Sequence, residues 1–244
     1  GVVTGVANGT TKIVVKTSNG KEASCDITVG TSPTGLSLNV TKQTLDLSGT
    51  KTFTIKTTIT PSTANMNTTL GAKSSNTNVA TVSAKGVVTG VSNGNATITI
   101  QTQNGKSATC KVTVQTSPTG ITLNITEQKL DISSNNKFTL VPTLIPATAN
   151  ANTTIQTQVS NKNIAEISTD GVVTGKSNGT TVITFSTANG KVASCKVTVE
   201  TSPISVSLSK TQLTIDSNNS KTQKLVATIN PTTSNINKGL SWKS

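Results

Sequence analysis

The chain of 244 residues contains no histidine and no tyrosine, and its only other aromatic residues are one tryptophan and three phenylalanines. Without an imidazole or a phenol, the usual proton shuttle near neutral pH is missing, which argues against an enzyme. Arginine is absent as well. All 21 basic residues are lysines, set against nine carboxylates for a net charge of +12. A reader of nucleic acid is expected to use guanidinium forks and aromatic stacking platforms, so nucleic acid is not an expected partner. No apolar run approaches the roughly 20 residues that a membrane-crossing helix needs, and no membrane span is expected in this segment. The lysines are scattered, several at matching places beside a turn (Lys21, Lys106 and Lys191). They read as a solubilising surface, with weak attraction to anionic wall polymers, glycans or a charged cell surface as the functional counterpart.

What the sequence has instead is a period. Cys25, Cys110 and Cys195 are spaced by 85 residues, and so are Pro33, Pro118 and Pro203, and Pro61, Pro146 and Pro231. Gly-Val-Val-Thr-Gly begins at Gly1, Gly86 and Gly171 on the same step. One step shared by unrelated residue types means one structural unit copied in tandem without insertions. Division at the Thr-Ser-Pro punctuation gives a C-terminal half-unit at 1–32, whole units at 33–117 and 118–202, and an N-terminal half-unit at 203–244. A whole unit is long enough to fold alone around a small core. The chain begins and stops partway through a unit, as a window from a longer protein would. Completion of one half-unit by another copy is disfavoured, because joining 203–244 to 1–32 leaves out the counterparts of residues 75–85.

Val, Ile and Thr are abundant in alternating runs, which separates this low-charge composition from disorder and predicts strands. Leu36, Leu38 and Val40 alternate and recur as Ile121, Leu123 and Ile125. Leu45 and Leu47 follow, then Phe53, Ile55 and Ile59, closed by Pro61, where a proline can end a strand. Val79–Val82 and the run Gly86–Gly90 predict two further short strands. The last element is a hairpin, Ala96–Gln103 and Lys106–Val114, around Asn104-Gly105, with counterparts at Asn19-Gly20 and Asn189-Gly190; Asn-Gly predicts a turn with both residues at positive φ. About seven short strands per unit and no helical period predict an all-β, two-sheet sandwich.

With Gly-Val-Val-Thr-Gly-Val-Ser-Asn-Gly-Asn-Ala-Thr-Ile-Thr-Ile at 86–100, Ser-Ala-Thr-Cys-Lys-Val-Thr-Val at 107–114, the strand ending Ile59-Thr60-Pro61 and the Ser75–Val82 segment, the chain resembles tandem bacterial Ig-like domains of group 2, modules also found in intimin- and invasin-type surface proteins. The resemblance covers essentially the whole chain. It implies Ig-like sandwiches end to end, an extracellular place on a bacterial cell surface or a virion, and a structural or adhesive role. The family often carries Trp just before the Ser-Asn segment; this chain has Ala72 and Thr157 there, and Trp242 in the last half-unit. A lighter core is therefore expected in both whole units, with Trp242 itself expected in a core.

Candidate chemistry is sparse. Cys110 shares a strand face with Val112 and Val114, so each cysteine is expected to be a buried, inert thiol. One cysteine per unit excludes a disulfide within a unit, and without histidine it makes no zinc site. Asp46, Asp131 and Asp216 recur and read as solvated edge charges or turn caps; no Asp-rich loop has the spacing a calcium site needs. A Lys–Asn isopeptide crosslink needs a buried acid that the sequence does not single out. Asn-x-Ser/Thr triplets are as frequent as this composition produces by chance. No catalytic, cofactor-binding or metal residue is expected, and no cofactor. The leading expectation is a non-catalytic stalk that spaces a head from a surface, with wall polymers, surface glycans or other copies in a fibre as partners. The alternatives are repeats that bind carbohydrate or host protein directly, and a phage virion module.

Overall fold

Strands account for all the regular structure among the described residues, which are 1–219 and 221–244 of the computed structural model. The chain divides into two units, Gly1–Ser117 and Pro118–Ser244. The first unit opens with the hairpin β1 (Gly9–Lys16) and β2 (Glu22–Val29), paired antiparallel from Gly9↔Val29 to Lys16↔Glu22. Next come β3 (Gly35–Leu38), β4 (Lys42–Asp46), β5 (Thr52–Thr54), β6 (Thr57–Thr60), β7 (Leu70–Ser74), β8 (Ala80–Val82), β9 (Val87–Gly90), β10 (Gly94–Thr102) and β11 (Ser107–Gln115). One layer is the sheet β4-β11-β10-β7. The facing layer is built from β3-β6 and β5-β9-β8.

Side chains alternating inward from both layers make the core: Leu45, Val88, Ile98, Cys110, Val112 and Val114 are all at most 1% exposed. The alternation does this directly, because successive strand residues face opposite sides of a sheet. All pairings are antiparallel except β4 with β11, which is parallel from Lys111↔Lys42 to Gln115↔Asp46. That pairing is possible because the first strand changes layers. β3 pairs with β6, the chain then steps across at Asn39–Thr41, and β4 joins the other sheet. Asn39 holds the step: its N–H donates to the Lys56 carbonyl at 3.0 Å, and its Oδ1 accepts from the Lys56 N–H at 2.7 Å.

The second unit repeats the plan. Its strands are β12 (Gly120–Leu123), β13 (Glu127–Asp131), β14 (Lys137–Thr139), β15 (Pro142–Ile145), β16 (Ile155–Val159), β17 (Ala165–Ile167), β18 (Val172–Gly175), β19 (Gly179–Thr187) and β20 (Val192–Glu200), then β21 (Ser205–Leu208) paired with β22 (Ala227–Asn230). The sheet β13-β20-β19-β16 faces β12-β15 and β14-β18-β17. Leu130, Val173, Ile183, Cys195, Val197 and Val199 take the places of the first core. The expected all-β, two-layer architecture with Ig-like sandwiches is what the chain adopts.

Four details depart from the sequence reading. The strands β7 and β16 were not anticipated. Leu70-Gly71-Ala72-Lys73-Ser74 has no β-branched residue, and it becomes a strand through its pairing with β10, from Ile98↔Ser74 to Thr102↔Leu70. The Asn-Gly turn is not the expected one. Only Gly105 has positive φ (86°), and the turn closes with Gly105 N–H to the Thr102 carbonyl at 2.9 Å, a turn followed by a glycine bulge. Cys110 and Cys195 are fully buried as expected, but Cys25 is exposed. The β1–β2 hairpin has no counterpart of β4 or β7 beside it. Trp242, expected in a core, is 59% exposed, and it lies outside the strand pair β21–β22 that is the regular structure of 203–244.

Candidate functional site

The side chains that recur at the period without entering a core gather at the ends of the repeats. In the first unit, Thr31 lies just after β2 and is held by the loop that follows β6. Its N–H donates to Asn65 Oδ1 at 2.8 Å. Its carbonyl accepts from the N–H groups of Asn65 at 2.9 Å and Met66 at 3.1 Å. Its hydroxyl donates to Asn8 Oδ1 at 2.8 Å, and the Asn8 amide reaches on to the Thr63 carbonyl at 3.0 Å. Asn67 adds a bond from its amide to Ser32 Oγ at 2.9 Å. Asn67 sits at φ 55°, a left-handed conformation that Asn accepts more readily than other side-chain-bearing residues.

The same clamp occurs in the second unit. Thr201 N–H donates to Asn235 Oδ1 at 2.7 Å, and the Asn235 N–H returns to the Thr201 carbonyl at 3.0 Å. The Thr201 hydroxyl donates to Asn178 Oδ1 at 2.6 Å, while the Asn178 amide donates to the Thr233 carbonyl at 2.6 Å. Asn237, at φ 54°, donates to Ser202 Oγ at 3.2 Å. Residues 34 apart in sequence are thus locked by an asparagine whose Oδ1 accepts from the threonine N–H and whose backbone N–H donates to the threonine carbonyl. The same residue types stand at Asn93, Thr116, Thr148, Asn150 and Asn152. Each clamp is uncharged, so neither salt nor pH within the physiological range acts on it directly.

A second set of bonds ties the end of each repeat to its own body. Asp46 Oδ1 accepts from Ser48 N–H at 2.8 Å and from Ser117 N–H at 3.1 Å, and Oδ2 accepts from the Ser117 hydroxyl. Ser48 Oγ donates to the Ser117 carbonyl at 2.6 Å. Asp131 repeats this with Ser133 N–H at 2.9 Å and Ser202 N–H at 3.0 Å. Partial burial pulls the Asp46 carboxyl upward, but the bonds from Ser117 and Ser48 outweigh it and hold it below its ordinary value. For Asp131, the Ser202 hydroxyl leads, followed by the Ser202 and Ser133 N–H groups, and the carboxyl is again lowered. The aspartates expected as edge charges or turn caps are therefore caps that also latch the last serine of the repeat. Asp216 keeps the capping half, with Asn218 N–H at 2.9 Å.

At the other end, Asn104 of the β10–β11 turn donates its amide to the Pro33 carbonyl at 2.8 Å and accepts from the Thr102 hydroxyl at 2.7 Å. Asn189 does the same with Pro118 at 2.7 Å and Thr187 at 2.7 Å. The asparagine of Asn-Gly is thus required for its side chain rather than for backbone freedom.

Among the described residues, no three His, Cys, Asp or Glu side chains gather as a metal site. No helix among the described residues is long and apolar enough to cross a membrane. Burial pushes the Cys110 thiol up, and burial with the nearby Glu127 charge does so for Cys195, so neither is poised as a thiolate. Thr157 is exposed at the mouth of an open hollow of about 760 Å³ whose lining includes Ile155, Val159, Lys162, Glu166 and Phe185. Sequence reading had picked out Asp46 and Asp131 and missed the clamp. The signal was present in Asn8, Thr31, Asn65 and Asn67, which keep the period although no core holds them.

Three comparisons place the chain among known proteins. No curated protein matches it. Among solved structures, domains 1–6 of the surface layer protein SbsC are 17% identical over 90% of this chain and 40% of that one, with a TM-score of 0.32. The C-terminal 282-residue fragment of intimin, solved with the intimin-binding domain of its translocated receptor, is 14% identical over 73% of this chain and 67% of its own, with a TM-score of 0.38. Titin domains I67–I69 are 9% identical over 80% of this chain and 74% of theirs, with a TM-score of 0.47. The chain spans about 40% of the length of the first of these. Residues 36–112 match the family model Bacterial Ig-like domain (group 2). That match lies within the first whole repeat, whose sandwich and latch recur 85 residues on. Over residues 36–112 the chain is therefore similar to the bacterial Ig-like domain of group 2, and the sequence pattern of that stretch recurs 85 residues on.

Proposed function

We propose that this segment is a non-catalytic spacer of a bacterial extracellular surface protein, divided as 1–32, 33–117, 118–202 and 203–244, in which each repeat contributes reach. The observation that carries the reading is the clamp around Thr31, reproduced around Thr201 in residue type and in bond pattern. A linker left to a short Pro-containing stretch would be stiff only along its own backbone. Here side chains from both flanks seize the linker threonine, so bending a joint requires breaking several hydrogen bonds together, each worth about 1 kcal/mol net. Clamps built from Asn, Thr and Ser suit a segment whose role is separation.

Small-angle scattering of residues 1–244 tests this reading. A compact globule of this length has a radius of gyration of about 18 Å. A spacer with strands rising about 3.3 Å per residue, repeats laid end to end, has roughly 30 Å. A value near the globular one would end the spacer reading.

A further inference from the structure

The two whole repeats share a core but not a surface. Repeat 33–117 holds seven lysines and a single carboxylate, Asp46, for a charge of +6, half of the chain's +12. Repeat 118–202 holds six lysines and five carboxylates, for +1. The one carboxylate of the basic repeat is committed to Ser48 and Ser117. None of the five ion pairs among the described residues lies in 33–117.

The difference is sharpest on the outer face of the sheet β4-β11-β10-β7. Lys42 and Lys111 stand opposite each other in the parallel register. Both are exposed, and like charges directly opposite are destabilising. In the sister sheet the same pair of positions is Glu127↔Lys196, joined by an ion pair of 3.0 Å. In the β1–β2 hairpin, the counterpart of Lys111 is Asp26, which pairs with Lys12 at 3.5 Å. Only repeat 33–117 leaves this row uncompensated. Across the row, Lys111 faces Thr97, and Lys73 faces Thr99 on the neighbouring strand. Lys42 and Lys111 flank a shallow hollow of about 450 Å³ whose walls include Thr44, Asn95, Thr97 and Thr113.

We infer that this face of repeat 33–117 binds an acidic polysaccharide, with an anionic group of the sugar chain between Lys42 and Lys111 and sugar hydroxyls on the surrounding Thr and Asn side chains. The charge is complementary to such a polymer, and the hydroxyls and amides supply donors and acceptors for its sugar hydroxyls. The hollow has no aromatic wall on which a base could stack, and no guanidinium to read a base edge. The outward side chains of the face are Lys, Thr, Asn, Gln and Ser, with Asp46 at its edge and no large apolar group to enter a lipid surface. A lysine pair acts as two point charges, so the interaction is set by charge density and weakens steeply with salt.

The inference stands apart from the spacer reading, since the scattering test of that reading does not depend on whether the chain binds a polymer. It is tested by titrating the whole chain with oligogalacturonate at low ionic strength and following amide shifts by NMR. The largest shifts are expected at residues 42–44, 95–97 and 111–113, with no comparable set around 127–129 and 196–198. Lys42→Glu copies the residue that the sister repeat tolerates at that place, so the fold survives. It should weaken binding by about tenfold. The reciprocal change Glu127→Lys should create a second set of shifts in 118–202. The proposal is overturned if Lys42→Glu binds as the parent does, if the shifts fall on another face, or if single-stranded DNA of matched charge binds as tightly as the oligosaccharide.

Discussion

Asp46 and Asp131 are the residues at which solution conditions reach this protein. Both carboxyls lie below the ordinary value of 3.8 because serines donate to the charged form. A lowered folded value means that the stabilisation is fully present above pH 3.8 and is lost as pH falls through the folded value. Chemical denaturation followed from pH 7 to pH 2 should therefore show stability declining below about pH 4. Asp46→Asn should be less stable at neutral pH and should flatten that decline. A variant with the parent's acid limb would mean that the latch contributes nothing. The cysteines make a second residue-scale prediction. Cys25 is exposed while Cys110 and Cys195 are buried with raised pKa, so a thiol reagent at pH 8 should modify one of the three in the native chain and all three in denaturant.

At the scale of the element, two glycines separate backbone need from sequence habit. Gly171 has φ 79°, and a Cβ there would lie 2.4 Å from the Leu140 carbonyl oxygen, which the strand β14 leaves pointing at the turn. Gly171→Ala should cost about 1–3 kcal/mol in urea unfolding. Gly49 has open space around it, and Gly49→Ala should be close to neutral. The elements that carried a period-2 signal, β10, β11, β19 and β20, were legible because their inward Val, Ile and Cys alternate with Thr and Lys. The strand β7 was not, because Leu-Gly-Ala-Lys-Ser has no local preference and takes its form from β10. The turn at Asn104 was placed correctly but for the wrong reason, since the amide's work on Pro33 depends on a partner 71 residues away. The clamp was illegible for the same reason. Nothing local to Thr31 announces that Asn8 and Asn65 converge on it, and only the shared period marks the three together. The joint can be probed directly: Asn65→Ala removes the acceptor of the Thr31 N–H and should lower its hydrogen-exchange protection by roughly tenfold, about 1.4 kcal/mol, without changing that of Cys110.

For the molecule as a whole, the repeats are alike inside and different outside. Leu45, Ile98, Cys110 and Val112 in one core correspond to Leu130, Ile183, Cys195 and Val197 in the other, so selection on packing is satisfied in the same way twice. Ile100 and Phe185 mark a large change in side-chain size between the two cores. Surface charge is free to vary on such a scaffold. That freedom allows one repeat to become a polyanion-binding face while its neighbour remains balanced. Reach and recognition, as proposed above, can then reside in the same tandem array.

The account turns on whether the clamp at Thr31 makes its two flanks move as one body. Residual dipolar couplings measured on the intact chain give an alignment tensor for residues 9–29 and, independently, another for residues 35–115. The two should coincide in magnitude and orientation, and should separate in an Asn8→Ala/Asn65→Ala variant. Distinct tensors in the parent chain would mean a loose tether, and the spacer mechanism argued from these hydrogen bonds would be wrong.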